Sequence, residues 1–359
     1  MSLEELFEKD PYGLSQEQKE LLFVECLTEL TDFHKKNCPE YGKILSVLGY
    51  DKCKVEHPED IPFIPVRLFK EYDLLSVPRD SILKIMTSSG TSGQKVSKIY
   101  LDKTNALNQT KTLASIISSY IGKKRLPLLL LDTEMVKTDR TMFSARGAGI
   151  IGFSTFGRNT KYALDKDMQI DFGLVEEFCE KHRNETVLMF GYTYMIWQYV
   201  IRALEEKGKT FPFSKVIVFH IGGWKKLKDQ AVSTLEYNKR LSQVFGGGVE
   251  VHNYYGMAEQ LGSVFVECEY GHMHCSNFSD IIIRNHADFS AEKVGERGLI
   301  ELLSLLPSSY PGQALLTEDE GEILGVDDCP CGRHGKYFKI HGRIKGAELR
   351  GCSDTYERH

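Results

Sequence analysis

Short apolar segments alternate with helix-like segments between residues 104 and 252, and this alternation limits the fold more than any other feature of the chain. Short apolar segments predict strands, and longer segments with apolar residues at helical spacing predict helices. The predicted strands are residues 126–131, 186–190, 215–220 and 249–252, and the predicted helices are residues 104–120, 172–182 and 192–206. Apolar strands that alternate with helices predict an α/β fold with a sheet covered on both faces.

Three segments that follow predicted strands are candidates for a binding site, because ligands of α/β proteins bind at the carboxyl ends of the strands. They are residues 191–193, residues 222–224 and residues 254–256, which contain Gly-Tyr-Thr, Gly-Gly-Trp and Tyr-Tyr-Gly.

The regions on either side of this α/β segment have different predicted secondary structure. Residues 1–75 are predicted to be helical, with Ser15 and Gln18 placed as a capping box. Beyond residue 261 the helical periodicity fades, and short segments at residues 298–302 and 321–324 predict strands. The sequence therefore divides into a helical region at 1–79, an α/β core at 80–260, a β subdomain at 261–341 and a short C-terminal tail at 342–359.

A polar loop at residues 86–95 carries five hydroxyl side chains, two glycines and a lysine. Glycines allow successive N–H groups to turn inward, and such a nest of N–H groups binds anions, phosphate above all. The hydroxyls add further donors. The loop lacks the G-x-x-x-x-G-K-[ST] pattern of a Walker A loop. The alternative is an ordinary exposed polar loop.

The overall composition excludes several classes of protein. Hydrophobic residues make up 42% and charged residues 26%, and the net charge is -5, which argues against a nucleic-acid-binding protein. The N-terminus does not resemble a signal peptide, and no apolar run is long enough to span a membrane. Without a secretory signal, the nine cysteines indicate thiols or metal ligands of a cytoplasmic protein.

Four motifs, in this order, resemble those of the acyl-adenylate-forming enzymes, which include acyl- and aryl-CoA ligases, luciferase-type enzymes and peptide-synthetase adenylation domains. The motifs are the loop at residues 87–95, Tyr-Gly-Met-Ala-Glu at 255–259, Thr-Glu-Asp at 317–319 and Gly-Arg-Ile-Lys at 342–345. The resemblance implies the fold of the large N-terminal domain of these enzymes, with residues 80–260 as its nucleotide-binding core.

The resemblance also implies ATP and Mg²⁺ as cofactors and gives each position a role. The ATP phosphates would be held by Thr87, Ser88, Ser89, Gly90, Thr91, Ser92 and Gly93. The adenine would be framed by Gly222, Gly223 and Tyr255, beside Gly256. Glu259 would bind Mg²⁺, for which a carboxylate oxygen is a suitable hard ligand. Asp319 would bind the ribose hydroxyls, and Arg343, in the same motif as Lys345, would lie near the ribose and the α-phosphate.

Two positions depart from the family pattern. The usual Pro-Lys after the polar loop is Lys95-Val96 here, and the usual Thr-Gly-Asp is Thr317-Glu318-Asp319. Taken singly, the motif residues also have plainer interpretations. Asp319 would then be a turn residue and Arg343 a surface cation.

The chain ends soon after the Gly-Arg motif, where the family usually continues into a C-terminal domain. This length, with the segments at 63–70 and 346–352, resembles the acyl-protein synthetase branch of the bacterial luminescence fatty-acid reductase complex. In that branch the acyl group passes from acyl-AMP to a cysteine near the C-terminus and then to a partner reductase. Cys352 is the matching residue, which implies a fatty acid as substrate and an acyl reductase as partner.

Two other functions stay open at this point. One is an aryl- or acyl-CoA ligase of the phenylacetate-CoA ligase type, with coenzyme A as acceptor. The other is a non-catalytic subunit that binds a nucleotide or a partner. Carboxylate-dependent pyrophosphate exchange separates the two enzymes from the subunit, and addition of coenzyme A separates the two enzymes. The sequence does not determine the acyl chain length or the pathway.

Two clusters of cysteine and histidine suggest a structural zinc site. Cys268, His272, His274 and Cys275 form the first cluster, and Cys329 and Cys331 form the second. Thiolates and imidazoles suit tetrahedral zinc, although C-x-C is tighter than the usual C-x₂-C. Similar clusters occur in the phenylacetate-CoA ligase branch. The predicted ligands are Cys268, His274, Cys329 and Cys331, and the alternative is a pair of loops with free thiols.

Overall fold

The computed structural model describes residues 1–88, 95–137, 145–224 and 231–344. The strands are β1 (Ile64–Pro65), β2 (Ile82–Thr87), β3 (Lys98–Asp102), β4 (Leu126–Thr133), β5 (Gly157–Leu164), β6 (Thr186–Tyr192), β7 (Lys215–Ile221), β8 (Val249–Tyr255), β9 (Phe265–Glu267), β10 (Met273–His274), β11 (Ser279–Arg284), β12 (Arg297–Ser304), β13 (Ala314–Val326) and β14 (Lys336–Arg343).

The helices of the same residues are α1 (Leu3–Phe7), α2 (Gln16–Asn37), α3 (Pro39–Val47), α4 (Leu68–Glu71), α5 (Lys103–Ile121), α6 (Ala145–Ser154), α7 (Phe172–His182), α8 (Thr193–Met195), α9 (Arg202–Lys207) and α10 (Thr234–Phe245). A π-helical stretch, Ile196–Ile201, continues α8 into α9. None of the helices within the described ranges is long and apolar enough to cross a membrane.

The chain divides into two compact units. Among the described residues, the first unit comprises residues 1–120 and 256–344, and the second comprises residues 121–255. The second unit is therefore an insertion in the sequence of the first. The division of the sequence at residues 79, 260 and 341 follows motifs rather than contacts and stays a prediction.

The second unit is built on a parallel sheet with the strand order β5-β4-β6-β7-β8. Successive residues of β4, β6 and β7 are buried, which means that both faces of these strands are covered. The stacked rings of Phe153 and Phe190, with centroids 3.9 Å apart, lie in this core. The predicted α/β fold is thus confirmed, and all strand carboxyl ends meet at one edge of the sheet.

The first unit contains a mostly antiparallel sheet with the order β11-β12-β13-β14-β10-β9, and β1 pairs in parallel with β13. β2 and β3 form a separate antiparallel pair at the base of the polar loop. The helix α2 begins at the predicted capping box of Ser15 and Gln18. Its apolar face packs on the sheet, and Leu27 of α2 lies in the same hydrophobic cluster as Phe278, the residue before β11.

A charged contact also joins α2 to this sheet. Lys19 is completely buried and donates a hydrogen bond of 3.0 Å to the carbonyl oxygen of Ser279, with the Asp280 carboxylate 3.8 Å away. A buried cation of this kind is tolerated only when it is paired. The correct docking of α2 therefore depends on β11.

Candidate functional site

Two predicted adenine-binding positions lie at the carboxyl edge of the second unit's sheet. Ile221 of β7 pairs with Tyr254 of β8, so Gly222 and Tyr255 are the next residues along neighbouring strands. Gly222 has a φ of 84°, which favours glycine, and its carbonyl oxygen accepts a hydrogen bond from the Thr193 hydroxyl. The Thr193 hydroxyl also contacts Nδ1 of His220 at 2.8 Å. This contact fixes the turn that contains Gly222 and Gly223.

In the first unit, Thr87 ends β2 and Ser88 closes the base of the polar loop. The Ser88 N–H donates to the Ser97 carbonyl oxygen at 3.2 Å, and the Ser97 N–H donates to the Ser88 hydroxyl at 2.9 Å. Lys95 forms an ion pair of 2.8 Å with Glu71. The predicted phosphate-binding residues Ser89, Gly90, Thr91, Ser92 and Gly93 lie outside the described residues.

The predicted magnesium ligand Glu259 lies on a short helical turn, Ala258–Gln260, and is 2% exposed. The Tyr310 hydroxyl donates to the Glu259 carbonyl oxygen at 2.9 Å. The Gln260 side chain donates to the carbonyl oxygens of Leu302 and Gly312 at 3.1 and 2.7 Å. Hydrogen bonds on both residues hold this turn in place. The Glu259 carboxylate supplies oxygen ligands of the kind that Mg²⁺ prefers.

The predicted ribose-binding residues meet across two neighbouring strands. Asp319 of β13 lies opposite Arg343 of β14, and Arg343 Nε is 3.5 Å from Asp319 Oδ1. The Thr317 hydroxyl donates to the Ile300 carbonyl oxygen at 2.7 Å and accepts from the Asp319 N–H at 3.1 Å. The structure therefore brings Asp319 and Arg343 together on a rigid sheet. Lys345 and Cys352 lie outside the described residues.

Two charged pairs were not predicted. Glu318 pairs with Arg67, which is 251 residues away in the sequence, and it also lies 3.8 Å from Nη1 of Arg343. In the second unit, Asp132 at the carboxyl end of β4 accepts two hydrogen bonds from Arg146, one of them 2.9 Å long. No local sequence pattern connects either carboxylate to its arginine.

The four predicted zinc ligands converge in the first unit. The ligand atoms of Cys268, His274, Cys329 and Cys331 all lie within 4.8 Å of one another. Cys268 Sγ is 4.0 Å from Cys329 Sγ, and Cys331 Sγ is 3.3 Å from His274 Nε2. Tetrahedral zinc, with Zn–S bonds of about 2.3 Å and Zn–N bonds of about 2.1 Å, separates its ligand atoms by about 3.5–3.8 Å. Three thiols and one imidazole at this spacing fit a closed zinc site.

The surroundings of this cluster favour the same ligands. Burial lowers the pKa of His274 to about 3, which keeps its ring neutral as a ligand must be. His272 Nδ1 lies 3.3 Å from Cys329 Sγ, as a neighbour of the cluster. Cys275 lies outside the four-residue group and is completely buried, and burial raises its pKa. A buried thiol of high pKa is a poor nucleophile, which argues against Cys275 as an acyl acceptor.

The chain is similar to known proteins in both sequence and fold. The family described as "Acyl-protein synthetase, LuxE" matches residues 2–359. The long-chain-fatty-acid--luciferin-component ligase of Vibrio harveyi is 25% identical over 94% of this chain and 88% of its own length. The ligase of the same name from Aliivibrio fischeri is 23% identical over 97% of this chain and 91% of its own length.

Solved structures show the same fold. An open conformation of 2-hydroxyisobutyryl-CoA ligase, in complex with 2-HIB-AMP and CoA, matches with a TM-score of 0.68 at 15% identity. The match covers 93% of this chain and 71% of that ligase chain. The predicted fold of an adenylate-forming ligase is therefore confirmed.

Proposed function

Because this chain belongs to the acyl-protein synthetase, LuxE, family, we propose that it activates a fatty acid with ATP and transfers the acyl group to its own Cys352. The observation that carries the proposal is the pairing of Asp319 with Arg343 at 3.5 Å across neighbouring strands. A carboxylate and a guanidinium side by side suit a nucleotide, since one accepts from ribose hydroxyls and the other faces phosphate. The named relatives are long-chain fatty-acid ligases, which supports a fatty acid as the substrate.

The first step forms acyl-AMP. A carboxylate oxygen of the fatty acid attacks the α-phosphorus of ATP, the bond to the β-phosphate oxygen breaks, and pyrophosphate leaves. The chain's contribution is to position the reactants and to stabilise charge. Arg343 would face the α-phosphate, Asp319 would orient the ribose, and Glu259 would hold Mg²⁺. When bound, that ion neutralises phosphate charge.

The second step moves the acyl group to a thiol. The Cys352 thiolate attacks the acyl carbonyl carbon, the carbonyl–phosphate bond breaks, and AMP leaves with the bonding electron pair. The resulting thioester is an activated carboxyl group that a partner acyl reductase would reduce. Splitting the transfer through a covalent intermediate replaces one difficult step with two easier ones.

The test measures the two steps separately. Wild-type protein should exchange pyrophosphate into ATP only when a fatty acid is present, and a panel of carboxylic acids will define the preferred chain length. With labelled fatty acid and ATP, the protein should acquire a label that hydroxylamine removes. Cys352→Ala should keep pyrophosphate exchange and lose this label, because only the acceptor has been removed.

Cys53→Ala is the matched control, because Cys53 is an exposed free thiol. It should keep both exchange and label. Undiminished label in Cys352→Ala would assign the acceptor to another residue. Acyl transfer to added coenzyme A, with no label on the protein, would instead support a CoA ligase.

We further propose that Cys268, His274, Cys329 and Cys331 hold one structural zinc ion. Four suitable ligand atoms lie within 4.8 Å of one another, which supports this proposal. Two belong to the β9–β10 hairpin and two to a turn that is distant in the sequence. Zinc would crosslink the β9–β10 hairpin to the turn between β13 and β14. A closed site of four protein ligands leaves no position for substrate, so its role is structural.

Metal analysis of the purified protein should give about one zinc per chain, as a closed four-ligand site requires. Cys329→Ser combined with Cys331→Ser should lower the zinc content and the melting temperature, because bound metal contributes to the free energy of folding. Cys275→Ser is the control, since Cys275 is buried beside His274 but lies outside the four ligands. It should retain zinc. A metal-free wild type of full stability would contradict the proposal.

A further inference from the structure

Glu318 stands where the family pattern has glycine, and its carboxylate lies between two arginines of the first unit. Arg67 Nε pairs with Glu318 Oε1, and Arg343 Nη1 is 3.8 Å from Glu318 Oε2. We propose that Arg67 is a positioning residue for Arg343 and acts through Glu318. This inference rests on the proposed role of Arg343 in binding ATP.

The backbone places Arg67 beside Glu318 independently of the side chains. β1 pairs in parallel with β13, with Ile64 opposite Leu315 and Pro65 opposite Leu316. The Val66 N–H then donates to the Leu316 carbonyl oxygen at 3.0 Å. Arg67 follows directly, at the start of α4. The pairing of β1 with β13 thus places the Arg67 side chain next to Glu318, the residue that precedes Asp319.

Glu318 is also tied to the strand that carries Arg343. Asp319 and Arg343 are opposite each other in the β13–β14 ladder, and the Ile344 N–H donates to the Glu318 carbonyl oxygen at 3.1 Å. The side chain of Glu318 is only 8% exposed, whereas that of Arg343 is 30% exposed. A nearly buried carboxylate attracts a neighbouring cation strongly, because little water screens the charge.

Arg343 is therefore placed between two carboxylates. It lies 3.5 Å from Asp319 and 3.8 Å from Glu318, so the charges of both carboxylates act on its orientation. Arg67 neutralises Glu318 from the other side. Without Arg67, the charge of Glu318 would draw Arg343 more strongly and move it away from Asp319 and from the nucleotide.

The effect of Arg67 on Arg343 depends on the charge of Glu318. Arg67→Gln should weaken ATP binding by about tenfold, the effect of losing one good contact to a charged group. Glu318→Gln should weaken it by less than about threefold, because Arg343 keeps Asp319 as a partner. The double variant should match Glu318→Gln, because the proposed effect of Arg67 on Arg343 acts through the Glu318 carboxylate. Removing the Glu318 charge should therefore rescue Arg67→Gln.

The measurement is the Kd for Mg-ATP by titration calorimetry, together with KM for ATP and kcat in pyrophosphate exchange. Arg67→Gln should raise KM and leave kcat within about twofold, because a misplaced binding group costs affinity before it costs rate. The Arg67 side chain is 55% exposed, so its ion pair contributes little to stability. The melting temperature of the Arg67→Gln variant should therefore stay within about 2 °C of wild type. Arg158→Gln is the matched control, since Arg158 is 42% exposed and pairs with Glu185 in the second unit.

The outcomes separate this inference from the proposed function. An unchanged Kd in Arg67→Gln, or a double variant worse than both single variants, would overturn the positioning role. A wild type that binds ATP without fatty-acid-dependent exchange would refute the proposed function, and the Kd values would still decide the role of Arg67. A wild type that binds no ATP would refute both.

Discussion

At the scale of single residues, His34 shows how burial determines a response to pH. Its ring is completely buried in the last turn of α2. Nε2 donates to the Pro307 carbonyl oxygen at 2.9 Å, and Nδ1 accepts from the Ser76 hydroxyl at 2.7 Å. Burial lowers the pKa of His34 from 6.5 to about 4. The folded protein therefore holds this ring neutral at pH values where the unfolded chain protonates it.

We expect His34 to reduce stability as the pH falls. Above pH 6.5 the ring is neutral in both states; between 6.5 and about 4 only the unfolded state takes up the proton, so the free energy of unfolding decreases. His34→Gln should be less stable at pH 7.5 but lose stability more slowly over this range, with slopes that differ by up to about 1.4 kcal/mol per pH unit. Urea unfolding at a series of pH values measures both slopes.

The exposed His57 supplies the control for this experiment. His57→Gln removes a histidine from an exposed position and leaves the buried His34 ring in place. Parallel curves for His34→Gln and wild type would mean that His34 does not contribute to the acid sensitivity.

At the scale of elements, the segment that follows the Glu259 turn packs directly on the backbone of α5 at Gly262. Gly262 has a φ of 89°, and a Cβ built there would lie 2.6 Å from Gln109 Cα. We expect Gly262→Ala to lower the free energy of unfolding by about 3 kcal/mol, since it combines an unfavourable φ with a clash against helix backbone. It should also lower pyrophosphate exchange, because Glu259 is only three residues away in the sequence.

Gly49 isolates the contribution of the clash. It has a φ of 68°, and no atom lies within 4 Å of a Cβ built there. Gly49→Ala should therefore cost only the backbone strain, about 1 kcal/mol. The difference between the two variants, measured by denaturant unfolding, reports the contact with α5. Equal losses in the two variants would show that this contact adds nothing.

Individual elements were predictable where a single segment determines its own structure. The predicted helix at residues 172–182 is α7, and the predicted strands at 126–131, 186–190, 215–220 and 249–252 are β4, β6, β7 and β8, each one to three residues longer at its carboxyl end. The strand β5 was missed. Its first half is polar and exposed, with Arg158 and Lys161, and Asn159 has a φ of 49°. A strand of this kind lacks the apolar signal on which prediction depends.

At the scale of the whole molecule, predictability follows the distance between partners in the sequence. The parallel sheet of the second unit comes from one continuous segment, and its α/β alternation is visible in the sequence. The first unit joins distant segments, as in the pairing of β1 with β13. The cluster of Cys268, His274, Cys329 and Cys331 could be predicted because cysteine and histidine have distinctive side-chain chemistry. The contact of Arg67 with Glu318 was not, because arginines and glutamates are common in the sequence and only the fold selects this pair.

The burial of Lys19 against β11 has a consequence for synthesis of the chain on the ribosome. Its partner carbonyl at Ser279 lies 260 residues further along the sequence. At 5–20 residues per second, translation covers that distance in on the order of tens of seconds. During this time the nascent α2 carries a cation on the surface that it will later bury, and the second unit is synthesised completely. The docking of α2 on β11, and with it the pairing of Lys19, therefore waits until β11 has been synthesised.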